Sequence, residues 1–135
     1  MRIIHLSDLH IGKRVNEYPM LEEQEYILLR IMNIIDEEKP DAVIIAGDVY
    51  DKTLPSAEAV LLLDKFLTAL SSRGLKVFII SGNHDSALRI SYFASLVKDA
   101  GVHVTEAFDG EMQHVTLQDA EGEMTVWMLP FLRPA

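Results

Sequence analysis

The chain has 135 residues, 49% of them hydrophobic, and no cysteine, which is typical of one globular domain and excludes disulfides, thiolate zinc sites and a cysteine nucleophile. Its formal net charge of −9 argues against a broad electrostatic attraction to nucleic acid or to anionic lipid. The sequence shows neither a signal-peptide pattern nor a run of about 18 apolar residues, so we expect a cytoplasmic protein without membrane contact.

Along the chain, the spacing of apolar residues predicts strands and helices in alternation. Continuous runs rich in β-branched residues indicate parallel strands that are covered on both faces, and apolar residues three and four apart indicate helices. In chain order, the pattern predicts a strand at residues 3–6, a helix at 21–35, a strand at 42–46, a helix capped by Thr53 or Ser56 and ended by Gly74, a strand at 77–80, and a helix from Ser86 to Gly101.

After Gly101 the pattern changes from helical to strand-like. Residues 102–105 predict a short strand, and residues 112–117 and 124–129 predict a β-hairpin around the turn-rich segment 119–122. The β-α-β-α-β-α order that precedes them predicts an α/β fold, with a parallel sheet, right-handed crossovers and helices on both faces. No linker or repeat indicates a second domain.

Residues suited to metal chemistry follow each of the three predicted parallel strands. Successive groups lie about one β-α-β unit of roughly 30 or more residues apart, so the chain returns to the same edge of the sheet each time. Ligands of open parallel sheets bind outside the carboxyl ends of the strands, and these residues should therefore meet in one crevice. They are Asp8 and His10, then Asp48 and Asp51, then Asn83, His84 and Asp85.

Crowded carboxylates of this kind repel one another unless bound cations offset their charge. Oxygen and imidazole ligands without sulfur suit manganese, iron or zinc. Asp48 could bridge two ions, with Asp8 and His10 on one side and the Asn83 amide oxygen on the other. Each residue alone could equally be a turn former or helix cap, and only the joint pattern favours the functional interpretation.

Three of these segments resemble the first three motifs of the calcineurin-like metallophosphoesterases: Asp8-Leu-His10, Gly47-Asp-Val-Tyr-Asp51 and Gly82-Asn-His-Asp85. Within that superfamily the chain is similar to the bacterial SbcD nuclease subunits, almost end to end, including the closing segment Leu129-Pro-Phe-Leu-Arg-Pro134. The resemblance implies a layered α/β/β/α sandwich, of which residues 1–135 are expected to form the N-terminal part.

The resemblance also implies a role for each motif residue. Asp8 and His10 would bind one metal, Asp48 would bridge two metals, and Asn83 would bind the second. Two divalent ions, with manganese expected, would then polarise the phosphate and stabilise in-line attack at phosphorus.

The other motif residues would not bind metal. His84 would contact the scissile phosphate or protonate the leaving oxygen, and Asp51 would orient His84. Asp85 would help to hold the ligand residues in place without binding the metal itself.

The chain departs from the family pattern because the later Gly-His and Gly-His-x-His motifs are absent from it. His103 and His114 follow no glycine and are not expected to replace those ligands, and His5 is expected to lie in the core or behind the site. We therefore expect the chain to belong to a longer protein, and by itself to bind metal weakly and cleave DNA poorly.

The implied function is that of a DNA exonuclease and endonuclease subunit in repair, recombination and replication, acting beside an SMC-like ATPase subunit of the SbcC type. Four basic residues close to the motifs are candidate contacts to DNA phosphates, although ordinary exposed surface explains each of them equally well. They are Lys13, Arg14, Lys52 and Arg89.

Other functions remain open at the level of sequence. The chain could be a phosphoesterase for nucleotides or phosphoproteins, or a non-catalytic scaffold, although such scaffolds typically lose the residue that matches His84. It could also serve mainly in dimerisation through its second and third helices, where the alternative is intramolecular packing. The apolar residues that would form such a face are Leu61, Leu62, Tyr92 and Leu96.

Overall fold

The computed structural model describes residues 1–86, 100–105 and 107–132. The elements in chain order are β1 (Ile3–Leu6), β2 (Arg14–Val15), β3 (Tyr18–Pro19), α1 (Leu21–Glu38), β4 (Ala42–Ala46), α2 (Ala57–Ser71), β5 (Lys76–Ile80), β6 (Val102–Val104), β7 (Gln113–Gln118) and β8 (Glu123–Met128). The first three parallel strands and both of these helices lie where the sequence predicts them, and the predicted hairpin is shifted by one residue. The predicted third helix, together with Arg89, Tyr92 and Leu96, lies outside the described residues.

Four strands form a parallel sheet in the order β1-β4-β5-β6. The spatial order follows the chain order, so successive strands are added in the same direction across the sheet, and parallel crossovers are almost always right-handed. Connections of this kind place their helices on one face, and α1 and α2 both pack there. The two described helices thus cover one face of the sheet, and the third helix included in the expectation of helices on both faces lies outside the described residues.

The main core lies between the two helices and the sheet. Alternate residues of each strand point to this face, as the two-residue period of a strand requires. Its central side chains come from α1 (Leu28, Met32, Ile35), α2 (Leu62, Leu63, Phe66, Leu70), β4 (Val43, Ile45) and β5 (Val77, Ile79). Full burial of one such side chain stabilises the fold by roughly 1.5–3 kcal/mol.

The opposite face of the sheet is covered by the β7–β8 hairpin. Phe78 and Ala42 are buried there against Met128 of β8. His5 lies on β1, an edge strand of the sheet, and its side chain is exposed. The expectation that His5 belongs to the core was therefore wrong, because a strand pattern does not show which strand will lie at an edge.

Helix α2 begins after Ser56, whose side-chain oxygen accepts a hydrogen bond from the Ala59 N–H at 3.3 Å. This contact decides between the two predicted caps in favour of Ser56. Helix α1 is joined to the turn after α2 by an ion pair in which the Arg73 guanidinium donates two hydrogen bonds to the Asp36 carboxylate, at 2.6 and 2.9 Å. Neither described helix is long and apolar enough to cross a membrane.

Candidate metal centre

The loops after β1, β4 and β5 lie side by side at the carboxyl edge of the sheet, because these strands are parallel neighbours. We call the loops after β1 and β4, residues 7–12 and 47–52, the first side of the site. The loop after β5, residues 81–86, is the second side. The convergence of the three motifs on one edge follows from this strand order.

Asp8, His10 and Asp48 form a compact cluster on the first side. Each offers one ligand atom, and the three atoms all lie within 4.8 Å of one another. His10 Nε2 lies 3.9 Å from Asp8 Oδ1 and 3.7 Å from Asp48 Oδ2. Asp8 is exposed and Asp48 is only 9% exposed, so the cluster extends from solvent to the interior.

All three residues of this cluster have a left-handed backbone. Their φ angles are 55° at Asp8, 43° at His10 and 49° at Asp48. A residue with a side chain adopts this region at a cost of roughly 1–2 kcal/mol, and such strain is concentrated at functional sites. These φ angles could not be predicted from the sequence, since aspartate and histidine have no fixed φ.

Backbone hydrogen bonds hold the two loops of the first side together. The N–H of His10 donates to the Asp48 carbonyl at 2.9 Å, and the N–H of Ile11 donates to the Val49 carbonyl at 2.9 Å. Ile11 and Tyr50 form an isolated parallel bridge. The pairing of β1 with β4 thus resumes beyond the ends of both strands and fixes the separation of His10 and Asp48.

Gln24 of α1 adds a second attachment for the loop that carries His10. Its amide nitrogen donates to the carbonyls of His10 at 2.8 Å and Leu9 at 3.2 Å, and its amide oxygen accepts from the Gly12 N–H at 2.9 Å. Sequence reasoning missed this residue, because a polar residue in the first turns of an amphipathic helix is ordinary. The role arises from a contact between elements and has no local signal.

Gly82 allows the second side to pack directly against Asp48. A Cβ atom added to Gly82 would lie 2.1 Å from Asp48 Oδ1 and 2.3 Å from the Asp48 backbone nitrogen. Real Cβ atoms do not approach other heavy atoms so closely, so only glycine fits here. The Asp48 carboxylate also accepts a hydrogen bond from the His84 N–H at 3.1 Å.

Asp85 joins the second side to the first. Its side chain is 4% exposed, and its carboxylate accepts hydrogen bonds from the N–H groups of Gly82 at 2.8 Å, Tyr50 at 3.0 Å and Val49 at 3.1 Å. Burial, followed by the Asp85 and Asp64 charges, raises the pKa of Tyr50 to about 12, so this phenol stays neutral. Asp85 therefore satisfies backbone donors of both loops at once.

The functional side chains of the second side are more open. Asn83 and His84 are both exposed. The His84 ring meets the His10 ring edge-on, with centroids 5.3 Å apart. The backbone of His84 is held from two directions, since its carbonyl also accepts a hydrogen bond from the Thr53 hydroxyl at 3.2 Å.

Asp51 lies beside His10. Its Oδ1 atom is 3.6 Å from His10 Nδ1, and no ion pair within 4 Å joins Asp51 to His84 among the described residues. The sequence led us to expect that Asp51 orients His84. The structure places the Asp51 carboxylate against the other histidine of the site, because Asp51 follows the loop that is paired with the His10 segment.

Three of the four basic residues that the sequence singles out are described. Lys13, Arg14 and Lys52 are exposed and follow the metal motifs. The Arg14 guanidinium donates a hydrogen bond to the Glu17 carbonyl within the β2–β3 turn. These side chains are available to solvent, and nothing in the described contacts assigns them a ligand.

The predicted dimer face is only partly available on α2. Leu61 is 61% exposed, whereas Leu62 is 7% exposed and packs in the main core. The placement of Leu62 on a partner-binding face was therefore wrong. Adjacent helical positions differ by about 100° around the axis, so one of the two leucines turns to solvent when the other turns to the sheet.

The chemistry of the site fits a divalent cation. The cluster offers carboxylate oxygens and an imidazole nitrogen, which suit manganese, iron or zinc. His10 Nδ1 is buried and makes no hydrogen bond within the described residues, although the second ring nitrogen of a metal-binding histidine usually donates to an acceptor. Gly82 packs directly against Asp48 and so keeps the Asp48 carboxylate at a fixed position in the cluster.

Comparison with protein families agrees with this geometry. The family model for the calcineurin-like phosphoesterases matches residues 1–128, which is nearly the whole chain. The chain therefore belongs to the calcineurin-like phosphoesterase family. Its four-stranded parallel sheet and its ligand cluster at the carboxyl edge are consistent with the N-terminal part of that fold.

Proposed function

We propose that this calcineurin-like phosphoesterase is a metal-dependent DNA phosphodiesterase of the SbcD nuclease type. The observation that carries the metal dependence is the cluster of Asp8, His10 and Asp48, whose ligand atoms lie within 4.8 Å of one another. The resemblance to SbcD subunits over the motif segments and over the segment 129–134 supports DNA as the substrate.

In this proposal Asp8 and His10 hold one cation, Asp48 is shared between two, and Asn83 contributes to the second. Two divalent cations, when bound, supply Lewis acidity to the phosphate oxygens and neutralise charge that develops during in-line displacement. Manganese is the proposed metal. The ligand residues are preorganised by the backbone pairing of the loops and by the close packing of Gly82 against Asp48, so their alignment requires little rearrangement.

The proposed role of His84 is supported by its exposure and its position. Its ring lies 5.3 Å from the His10 ring, and its backbone N–H donates to Asp48 Oδ1. We propose that the imidazole contacts the scissile phosphate or protonates the leaving oxygen. The exposed cations of Lys13, Arg14 and Lys52 would attract the DNA backbone to this edge, although the whole chain carries a charge of −9.

The setting of this activity is also a proposal. We propose that the chain is the N-terminal portion of a cytoplasmic nuclease subunit in DNA repair, recombination and replication. Its proposed partners are an SMC-like ATPase subunit of the SbcC type and a second copy of the nuclease subunit. On α2, the exposed Leu61 is available for that second copy.

The test compares substrates and two variants of the chain. With Mn²⁺ present, we expect cleavage of DNA and of the diester bis-p-nitrophenyl phosphate to exceed hydrolysis of the monoester p-nitrophenyl phosphate. The rate is expected to be low, because the resemblance places the remaining imidazole ligands outside this sequence. Faster hydrolysis of the monoester would favour a nucleotide or phosphoprotein phosphatase instead.

The variants separate metal binding from proton transfer. Asp48→Asn should abolish both Mn²⁺ binding and cleavage, since it weakens the shared ligand. His84→Ala should lower cleavage by about 10²- to 10⁴-fold while Mn²⁺ binding, measured by calorimetry, stays close to that of the wild type. Loss of Mn²⁺ binding in His84→Ala would show that His84 is a ligand, contrary to the proposal.

A further inference from the structure

We infer that Asp51 is a positioning residue for His10, holding the imidazole so that Nε2 faces the metal while Nδ1–H donates to the Asp51 carboxylate. The inference rests on the proposed metal-dependent function, because it requires His10 to bind a cation. It gives Asp51 a partner different from the one that the sequence resemblance implies.

The two ring nitrogens of His10 face different carboxylates. Nε2 lies 3.9 Å from Asp8 Oδ1 and 3.7 Å from Asp48 Oδ2, within the candidate ligand cluster. Nδ1 lies 3.6 Å from Asp51 Oδ1. Nδ1 is buried and has no hydrogen-bond partner in the part of the chain that the structure describes, so a donor at this position has the Asp51 carboxylate as its neighbour.

The chemistry of imidazole explains why this arrangement favours a metal ligand. A neutral imidazole carries one N–H, and a ring that donates through Nδ1 leaves its lone pair on Nε2. A carboxylate at Nδ1 therefore selects the tautomer that binds a cation through Nε2, and it also makes that nitrogen a stronger ligand. A hydrogen bond needs an N···O distance of about 2.7–3.2 Å, so a movement of roughly half an ångström completes it.

The backbone places Asp51 beside the segment that carries His10. The Asp51 N–H donates to the carbonyl of Ile11 at 3.1 Å, and Ile11 is the residue after His10. The neighbouring Tyr50 forms a parallel bridge with the same Ile11. The short pairing between the two loops thus fixes Asp51 beside the His10 segment, independently of any contact between their side chains.

Calorimetric titration with Mn²⁺ tests the inference. Asp51→Leu removes the acceptor and should weaken Mn²⁺ binding by about 10- to 100-fold, which is the usual effect of losing the partner of a ligating histidine. Asp51→Asn keeps an acceptor oxygen of the same reach, and its affinity should lie between those of Asp51→Leu and the wild type.

Asp64→Leu is the matched control, since it makes the same change of charge at an exposed position whose charge also reaches Tyr50. Its Mn²⁺ affinity should equal that of the wild type. Equal weakening in Asp64→Leu and Asp51→Leu would overturn the inference, because the effect would then come from net charge alone.

The tautomer of His10 provides a readout that a merely structural role would not change. In the Zn²⁺-loaded wild type, ¹⁵N spectra should show His10 protonated at Nδ1 and coordinated through Nε2, with the signals assigned by His10→Gln. The fraction of His10 in this Nδ1-protonated form should be higher in Asp51→Asn than in Asp51→Leu. Wild-type affinity with an unchanged His10 spectrum in Asp51→Leu would contradict the inference, whereas absence of metal binding by the wild type would overturn the proposed function itself.

Discussion

The two sides of the candidate metal centre are built by different means. On the first side, backbone hydrogen bonds join the loops after β1 and β4 and continue the parallel pairing of the strands. On the second side, the loop after β5 is attached to the first side mainly through two carboxylates, those of Asp85 and Asp48. The first side carries the compact ligand cluster, and the second carries the exposed Asn83 and His84.

Because of this difference, the first side holds the metal ligands rigidly, whereas the second side presents His84 to solvent. A ligand set requires fixed separations, which backbone pairing supplies without side-chain entropy. A residue that contacts substrate must be reached from solvent, so His84 is exposed while its backbone is anchored. If this distinction is correct, changes at the attachments of the second side should disturb the site more than changes at any single attachment of the first.

The largest effect is expected from Asp85→Ala, which separates the two sides. Three backbone donors lose their acceptor, and because Asp85 is 4% exposed, we expect a loss of about 4 kcal/mol in the free energy of unfolding. Urea denaturation measures it. Asp109→Ala removes an acceptor from an exposed loop and should change stability by no more than about 0.5 kcal/mol. Equal effects of the two changes would show that the buried carboxylate does not join the loops.

Gly82→Ala should produce the next largest effect. The added Cβ would lie 2.1 Å from Asp48 Oδ1, and moving Asp48 away should cost about 3 kcal/mol of stability and abolish Mn²⁺ binding. Gly110→Ala is a suitable control, because open space surrounds that position and only its φ of +111° opposes the change. The control should lose about 1 kcal/mol and bind Mn²⁺ normally. Normal binding by Gly82→Ala would contradict the close packing of the two sides.

Gln24→Ala tests one attachment of the first side and should have a smaller effect. Its loss leaves the Gly12 N–H and the carbonyls of Leu9 and His10 without their partner, at a cost of about 1.5 kcal/mol. Mn²⁺ affinity should fall only modestly, since the backbone bonds to the β4 loop remain. Glu23→Ala on the same helix is the control. A complete loss of Mn²⁺ binding in Gln24→Ala would show that backbone pairing alone does not hold His10.

The smallest effect concerns a contact that belongs to neither side. The hydrogen bond and charge of Arg73 hold the pKa of Asp36 below its ordinary value of 3.8. A carboxylate with a lowered folded pKa contributes stability above its unfolded pKa, and the contribution disappears as the pH falls through the folded value. In thermal melts across pH, Asp36→Asn should therefore be slightly less stable than the wild type at pH 7, and this difference should shrink as the pH falls below the ordinary pKa of 3.8. A constant difference at all pH values would contradict the assignment to this ion pair.

Much of the fold could be predicted from local pattern. The strands Ile3–Leu6 and Ala42–Ala46 are mainly apolar runs with polar residues before them, and both their type and their limits were predicted correctly. The convergence of Asp8, His10 and Asp48 was also predictable, since it needs only parallel strands that are neighbours. These features depend on the order of residues along the chain.

Other features depend on relations between elements and had no local signal. The one-sided placement of α1 and α2 follows from the spatial order of the strands, which the sequence pattern does not contain. The exposure of His5 has the same origin. The short hairpin of Arg14–Val15 with Tyr18–Pro19 was missed, because strands of two residues are too short to show periodicity.

The same limit applies to the residues that hold the candidate metal ligands in place. The contacts of Gln24 and the position of Asp51 beside His10 depend on how loops pack against a helix and against each other. The left-handed φ angles of Asp8, His10 and Asp48 are imposed by that packing and oppose the local preference of the residues. Sequence patterns that report local preference therefore cannot show them.

The most direct test of the central claim is the location of bound metal in a crystal of the chain grown with Mn²⁺. An anomalous difference map should show a manganese peak within coordination distance of the carboxylates of Asp8 and Asp48 and of His10 Nε2. Asp48→Asn crystals grown in the same way should lack the peak. The absence of manganese at this cluster in the wild type, including the case in which manganese binds only elsewhere, would contradict the account.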